Sequence, residues 1–190
     1  MNERDLLIDS LKRLNRSGVG YMLTGSMVSN YWGIPRTTHD LDFVVQLPPD
    51  AIPRLAREFQ QGFYLDVAAI YSAYEPPFQF NAIDTRSALK VDFWLLRSDS
   101  PFEMLMFQRR LRTPLFGEDA WICTAEDVIL HKLYWDTLSP SERQRGDAAG
   151  VVAVQGDALD TGYLRTQAAS LGVSLMLEAL LSGSILPKQT

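Results

Sequence analysis

The chain has 190 residues, of which 46% are hydrophobic and 22% are charged. This is enough apolar material to bury one sizeable core, and it excludes a fibrous or wholly disordered protein. The 18 Lys and Arg residues against 23 Asp and Glu give a formal net charge of −5. The molecule as a whole therefore repels phosphate backbones, which argues against indiscriminate nucleic-acid binding and leaves only a local basic groove open.

Cysteine and histidine usage limits the possible compartments and metal sites. A single cysteine, Cys123, cannot form an internal disulfide, and with two histidines the chain cannot build a Cys/His zinc site. The amino-terminal residues mix charged and apolar side chains, and no stretch approaches the roughly 18 consecutive apolar residues of a membrane span. We therefore expect a soluble, cytoplasmic protein with no membrane partner.

The first part of the chain alternates between helix and strand patterns. Leucines recur at spacings of three and four over 4–16, which predicts an amphipathic opening helix, and the short apolar run 20–24 predicts a buried strand. Alternating and β-branched residues predict a second strand over 39–47. Further helices are predicted at 27–32, 50–61, 66–74 and 101–110, and further strands at 78–84, 89–96, 112–116 and 120–123.

After residue 123 only helical patterns follow. Thr124 has an acidic residue three positions later, like a capping box, and an apolar helical face comes next. Three more helices are predicted at 141–153, 161–171 and 173–181. The order predicts an α/β (α+β) core over 1–123 and a small C-terminal helical region, 124–190, packed on that core.

Three aspartates stand out on the predicted strands. Asp40 and Asp42 lie two residues apart, which places both carboxylates on one face of a strand. Like charges this close are tolerated where water or a divalent cation neutralises them, and carboxylate oxygens suit Mg²⁺ or Mn²⁺. Asp92 interrupts an apolar strand, where a lone buried carboxylate would be costly. If the strands are neighbours, the three carboxylates converge and could bind two cations about 4 Å apart.

A glycine and a serine precede these aspartates at a strand-to-helix turn. Gly25 allows the backbone to approach a phosphate closely, and the amides and the Ser26 hydroxyl could hydrogen-bond it. This Gly-Ser turn, the Asp-x-Asp strand and the later aspartate together resemble the nucleotidyltransferase superfamily of the polymerase-beta type. Residues 35–40, 126–133 and 141–147 further resemble small bacterial nucleotidyltransferases related to abortive-infection toxins.

The resemblance implies a fold and a metal site. The fold would be a mixed sheet flanked by helices, followed by a small C-terminal helical unit. Asp40 and Asp42 would hold Mg²⁺ or Mn²⁺ together with the triphosphate. Asp92 would complete the second metal site and help deprotonate the acceptor hydroxyl.

The resemblance also implies a nucleotide-binding group of residues. Gly25 and Ser26 would cradle the terminal phosphates, and Lys132 would add a positive charge toward the nucleotide. Arg36, in the loop before the Asp pair, could contact a phosphate. Structural interpretations also stay open for two residues. Lys132 could be an ordinary solvated lysine. Asp147 could orient Lys132 or Arg143 through an ion pair, or it could face water.

The predicted activity is transfer of a nucleoside monophosphate from an NTP to a hydroxyl acceptor, with release of pyrophosphate. Three acceptor classes stay open. They are a tRNA end or a protein, for a toxin or defence enzyme with a possible antitoxin partner, and a small molecule such as an aminoglycoside-like antibiotic. The alternatives are a catalytically silent nucleotide-binding or protein-interaction module with the same fold and a purely structural partner protein.

Overall fold

In the computed structural model, which describes residues 2–187, the chain divides into two compact units. The first unit consists of the chain up to Thr24 together with His39–Ile122. The second consists of Gly25–Thr38 together with the chain from Cys123 onward. The second unit thus includes residues 25–38 in addition to the C-terminal helices. The domains 1–123 and 124–190 remain a prediction.

The described residues of the first unit form a seven-stranded mixed sheet with helices beside it. The strands are β1 (Gly20–Thr24), β2 (Leu41–Gln46), β3 (Phe63–Tyr64), β4 (Gln79–Asp84), β5 (Lys90–Leu95), β6 (Leu111–Leu115) and β7 (Glu118–Ile122). The helices of this unit are α1 (Glu3–Ser17), α3 (Ile52–Glu58), α4 (Val67–Ser72) and α5 (Pro101–Arg109). The strand order is β3-β4-β5-β2-β1-β7-β6, with β2–β5 and β1–β7 parallel and the other pairs antiparallel.

An aromatic core holds the middle of this sheet. Phe93 stacks on Phe43 and on Phe80, with ring centroids 6.0 and 5.0 Å apart. Phe59 meets Phe93 edge-on at 5.4 Å. Such ring pairs add to the free energy gained by burying their area. Side chains alternate between the two faces of a strand. The residues next to these phenylalanines on β2 and β5 therefore lie on the opposite face of the sheet.

The second unit is helical in its described part. Its helices are α2 (Gly25–Trp32), α6 (Ala125–Leu138), α7 (Glu142–Gln155), α8 (Thr161–Leu171) and α9 (Ser174–Leu181). The Thr124 side chain caps α6 by accepting from the backbone of Asp127, as the sequence predicted. α7 packs against both α2 and α6. A run of small buried residues in its middle, 146–151, allows this close approach.

The mixed α/β fold and most strand positions predicted from the sequence are confirmed. One boundary was wrong in a way that matters for the site, because β2 begins at Leu41 rather than at residue 39. The register with β5 begins at Leu41, which pairs with Val91, and the register with β1 ends at Asp42, so neither neighbouring strand pairs with Asp40. Asp40 therefore precedes the strand. The sequence also missed β3, which at two residues is too short to show alternation.

Gly33, just after α2, lies against the backbone of α7. A Cβ atom at Gly33 would stand 2.7 Å from the Val151 nitrogen and 2.9 Å from the Ser29 carbonyl oxygen. We expect Gly33→Ala to lower the free energy of unfolding by about 1–3 kcal/mol, because backbone atoms cannot yield as a side-chain tip can. Urea unfolding measures this difference.

The matched control for Gly33→Ala is Gly150→Ala at the same contact. A Cβ at Gly150 would meet Ile34 atoms no closer than 3.4 Å, and alanine is the better helix former within α7. This control should unfold at or above the wild-type urea midpoint. Equal midpoints for both variants would contradict the close approach of the Gly33 and α7 backbones.

Within the described residues, no helix is both long and apolar enough to span a membrane.

Candidate functional site

Two of the predicted aspartates lie side by side on parallel strands of the first unit. Asp42 of β2 and Asp92 of β5 are direct partners in the strand register. Their side chains therefore point to the same face of the sheet. Asp92 is 4% exposed, whereas Asp42 is partly exposed and accepts a long 3.5 Å hydrogen bond from the indole of Trp94. The sheet thus holds two carboxylates next to each other, on the face away from the phenylalanine core.

The two oxygens of Asp92 have different environments. The Lys90 ammonium donates to Oδ2 at 2.7 Å, while Oδ1 is buried and has no hydrogen-bond partner among the described residues. Buried carboxylate oxygens without a partner are uncommon because their desolvation is not compensated. The hydrogen bond from Lys90 to Asp92 raises the pKa of Lys90, and the charges of Asp92, Asp40 and Asp42 raise it further. The charges of all three carboxylates therefore act on Lys90.

Asp40 is placed differently from the other two carboxylates. It is exposed, and it precedes β2 instead of sharing a strand face with Asp42. The described part of the chain contains no group of three or more His, Cys, Asp or Glu side chains arranged to hold a metal ion. The structure therefore brings Asp42 and Asp92 together in register, and the three-carboxylate metal site stays a prediction. On this face of the sheet, the oxygens of Asp42 and the Oδ1 of Asp92 that has no partner could hold a cation.

The predicted phosphate turn lies in the second unit and is held by an arginine. Gly25 opens α2 with φ at +66°, in the left-handed region that favours glycine. Arg36 donates to the Ser26 hydroxyl at 2.7 Å and forms a two-pronged ion pair with Asp147, at 2.6 and 2.8 Å. Asn30 fixes the Arg36 backbone through hydrogen bonds to both its N–H and its carbonyl. The guanidinium is therefore locked in one position.

Lys132 of α6 joins the same group of side chains. It is 6% exposed and donates to Asp147 at 2.9 Å and, more weakly, to the Ser26 hydroxyl at 3.5 Å. We call Ser26, Arg36, Lys132 and Asp147 the basic cluster, since it combines two cations with one carboxylate. Burial opposes ionisation of Asp147, but the hydrogen bond from Arg36 and the charge of Lys132 outweigh it and lower the pKa of Asp147. The cluster keeps an excess positive charge beside a hydroxyl.

The basic cluster decides between the interpretations that the sequence left open. Lys132 is buried and ion-paired, so it is not an ordinary solvated lysine. Asp147 does pair with Lys132, as one alternative held, but its second partner is Arg36 and not Arg143. The sequence missed the Arg36–Asp147 pair, and the one available signal was an aspartate set among the small residues of α7.

Neither histidine belongs to these groups of residues. His39 is exposed and contacts Glu3 at 2.5 Å. His131 accepts a 2.7 Å hydrogen bond from the Trp135 indole. Loss of solvation, with a smaller effect of the Lys132 charge, lowers the pKa of His131 to about 4. His131 is therefore neutral at physiological pH and serves as a partly buried acceptor.

Comparison with known proteins identifies the fold. No protein-family model and no curated protein matches the sequence. Among solved structures, the chain is similar to the solution structure of the antibiotic-resistance factor ANT(2'')-Ia, at 13% identity and a TM-score of 0.62, over 92% of this chain and 95% of that one. It is also similar to an antigenic nucleotidyltransferase-like protein from Paracoccidioides brasiliensis, at 14% identity and a TM-score of 0.60, over 98% and 94% of the two chains.

A third similar structure is the crystal structure of ANT(2'')-Ia in complex with adenylyl-2''-tobramycin. It aligns at 12% identity and a TM-score of 0.51, over 95% of this chain and 98% of that chain. Identities this low establish the fold alone. The chain has the fold of nucleotidyltransferases.

Proposed function

We propose that this protein is a metal-dependent nucleotidyltransferase that moves a nucleoside monophosphate from an NTP to a hydroxyl acceptor. The observation that carries the proposal is the register pair of Asp42 and Asp92, with one buried Asp92 oxygen lacking a partner. A buried carboxylate oxygen with no hydrogen-bond partner suits a site that binds a cation during the reaction. The nucleotidyltransferase fold of the chain supports the same chemistry.

Three aspartates would supply the metal ligands. Asp42 and Asp92, with Asp40 just before β2, would hold Mg²⁺ or Mn²⁺, which neutralises phosphate charge and lowers the pKa of a bound hydroxyl. The partnerless Oδ1 of Asp92 fits this role, since carboxylate oxygens are the ligands that these cations prefer. Asp92 would also help to accept the proton of the acceptor hydroxyl.

Gly25 and the basic cluster would supply the phosphate-binding groups. The Ser26 hydroxyl and the Gly25 amide would hydrogen-bond terminal phosphates of the nucleotide. Arg36 and Lys132 would neutralise their charge, and Asp147 holds both cations in position. Positioning and charge neutralisation are the main requirements of phosphoryl-type transfer.

The reaction needs no reactant besides the NTP and the acceptor. The acceptor oxygen forms a bond to the α-phosphorus, and the bond from this phosphorus to the oxygen bridging to the β-phosphate breaks. Pyrophosphate leaves with the bonding electrons, and the hydroxyl proton passes toward the Asp92 carboxylate. The products are a nucleotidylated acceptor and pyrophosphate.

Among the acceptor classes, we favour a small polyhydroxylated molecule. The similar structure of ANT(2'')-Ia holds an adenylylated tobramycin. The net charge of −5 disfavours a long RNA footprint and suits a neutral or cationic acceptor. A tRNA end or a protein, as for a toxin or defence enzyme with an antitoxin, would require a local surface that overcomes this charge.

Label transfer tests the function and names the acceptor class. The purified protein is incubated with each α-labelled NTP, Mg²⁺ or Mn²⁺, and either cell extract or a panel of aminoglycosides. We expect label in a product that resists both ribonuclease and protease, and no label with Asp92→Asn. Sensitivity to ribonuclease or protease would instead identify RNA or protein as the acceptor. Metal-dependent NTP binding with no transfer to any acceptor would favour the silent module.

A further inference from the structure

Lys90 forms an ion pair with Asp92, one of the aspartates of the proposed metal site. Both residues lie on β5 two positions apart and therefore on the same face of the sheet. The Lys90 ammonium contacts Oδ2 of Asp92 at 2.7 Å. Of the two Asp92 oxygens, one is therefore taken by an internal cation and the other is buried without a partner.

We propose that Lys90 is a built-in competitor of the divalent cation, a positioning residue whose ammonium neutralises the metal-free carboxylate pair and lowers its affinity for the cation. The inference rests on the proposed function, because it concerns the same metal site. The ammonium offsets the repulsion between Asp42 and Asp92 as long as no metal is bound. A carboxylate oxygen in contact with the ammonium is less available as a ligand for a metal ion.

The two partners differ in their freedom to move. The side chain of Asp92 is 6% exposed on a central strand, whereas that of Lys90 is 48% exposed. A lysine ammonium on a flexible four-carbon stem can turn from the sheet into water, where it is strongly hydrated. The release of Lys90 therefore costs little, while Asp92 keeps its place. The ion pair therefore weakens metal binding, and removal of the ammonium should raise the affinity for the metal ion.

Titration with Mn²⁺, followed by electron paramagnetic resonance and calorimetry, tests the proposal on the full chain without nucleotide. We expect Lys90→Met to bind Mn²⁺ about fivefold more tightly than the wild type, the effect of losing one partly exposed ion pair. Lys90→Arg keeps a cation beside Asp92, so its affinity should stay close to that of the wild type. Urea unfolding of each variant establishes that the affinities belong to folded protein.

Lys12→Met is the matched control for the change in net charge. Lys12 has a similar side-chain exposure, 49%, and pairs with Glu118. This variant should leave the Mn²⁺ affinity unchanged. Tighter binding by both lysine variants would assign the effect to overall charge and overturn the proposal, as would unchanged or weaker binding by Lys90→Met.

Asp92→Asn separates this inference from the proposed function. If it weakens Mn²⁺ binding while Lys90→Met does not tighten it, Lys90 is not a competitor and the metal site still stands. If neither Asp92→Asn nor Asp42→Asn changes Mn²⁺ binding, the carboxylate pair is not a metal site and both proposals fail.

Discussion

Replacing Asp92 with asparagine should reduce label transfer by about 10³-fold or more while leaving the fold intact. The amide keeps the size of the side chain but removes the charge that a divalent cation requires. Because one Asp92 oxygen is buried without a partner, loss of the charge removes part of the desolvation cost, which offsets the loss of the ion pair with Lys90. We therefore expect the free energy of unfolding to stay close to that of the wild type. Single-turnover transfer and urea unfolding measure the two quantities.

Asp84 offers a matched control on the neighbouring strand β4. It is also a buried aspartate, but its oxygens accept from the Arg86 guanidinium at 2.7 Å and from the Ser87 N–H and hydroxyl at 2.9 and 2.6 Å. Asp84→Asn should therefore lose stability and keep transfer, the opposite of Asp92→Asn. If Asp92→Asn lost stability and kept transfer, Asp92 would be a structural residue like Asp84.

The second large effect is expected at Asp147 in the basic cluster. Asp147→Ala leaves the buried Lys132 ammonium and the Arg36 guanidinium without their shared carboxylate. Removing one partner of a buried ion pair costs about 3–5 kcal/mol, because the remaining charge stays desolvated. We expect this loss in the free energy of unfolding by urea. Ala substitution of the exposed Asp157, which lies just beyond α7, should change it by less than about 0.5 kcal/mol.

The Asp147 pair also makes stability depend on pH. In the folded protein Arg36 and Lys132 hold the pKa of Asp147 below its ordinary value, so the unfolded chain binds a proton more readily than the folded chain. The contribution of Asp147 is therefore fully present above the ordinary aspartate pKa near 4 and is lost as the pH falls through the lower, folded value. Unfolding midpoints measured from neutral to acidic pH should fall less steeply for Asp147→Asn than for the wild type. Parallel curves would contradict the pair.

The parts of the site that the sequence could predict are those with a local pattern. The strand carrying Asp92 shows as an apolar run broken by one charge, and the Asp-x-Asp spacing indicates a strand face. The prediction that Asp42 and Asp92 lie close together depended on their strands being neighbours. β2 and β5 are neighbours, and their register pairs the two aspartates. The start of β2 was missed by two residues, because it is set by the pairing of Leu41 with Val91 of β5, and no local pattern shows this.

The long-range ion pairs could not be predicted in the same way. Arg36 and Asp147 are 111 residues apart in the chain, and no periodicity links them. The burial of Lys132 likewise depends on which helix covers α6, whereas its own sequence neighbourhood is compatible with a solvated face. Lys90 could have been found, since a lysine two residues before a buried aspartate on a strand shares its face.

The fate of the α- and γ-phosphates of the NTP distinguishes nucleotidyl transfer from phosphoryl transfer. Parallel reactions with α-labelled and γ-labelled nucleotide, divalent metal and acceptor are run for the wild type and for Asp92→Asn. We expect α-label to enter the acceptor, γ-label to appear among the products only in pyrophosphate, and both signals to vanish in the variant. Transfer of γ-label to the acceptor, or transfer that Asp92→Asn leaves unchanged, would contradict the proposed nucleotidyl transfer.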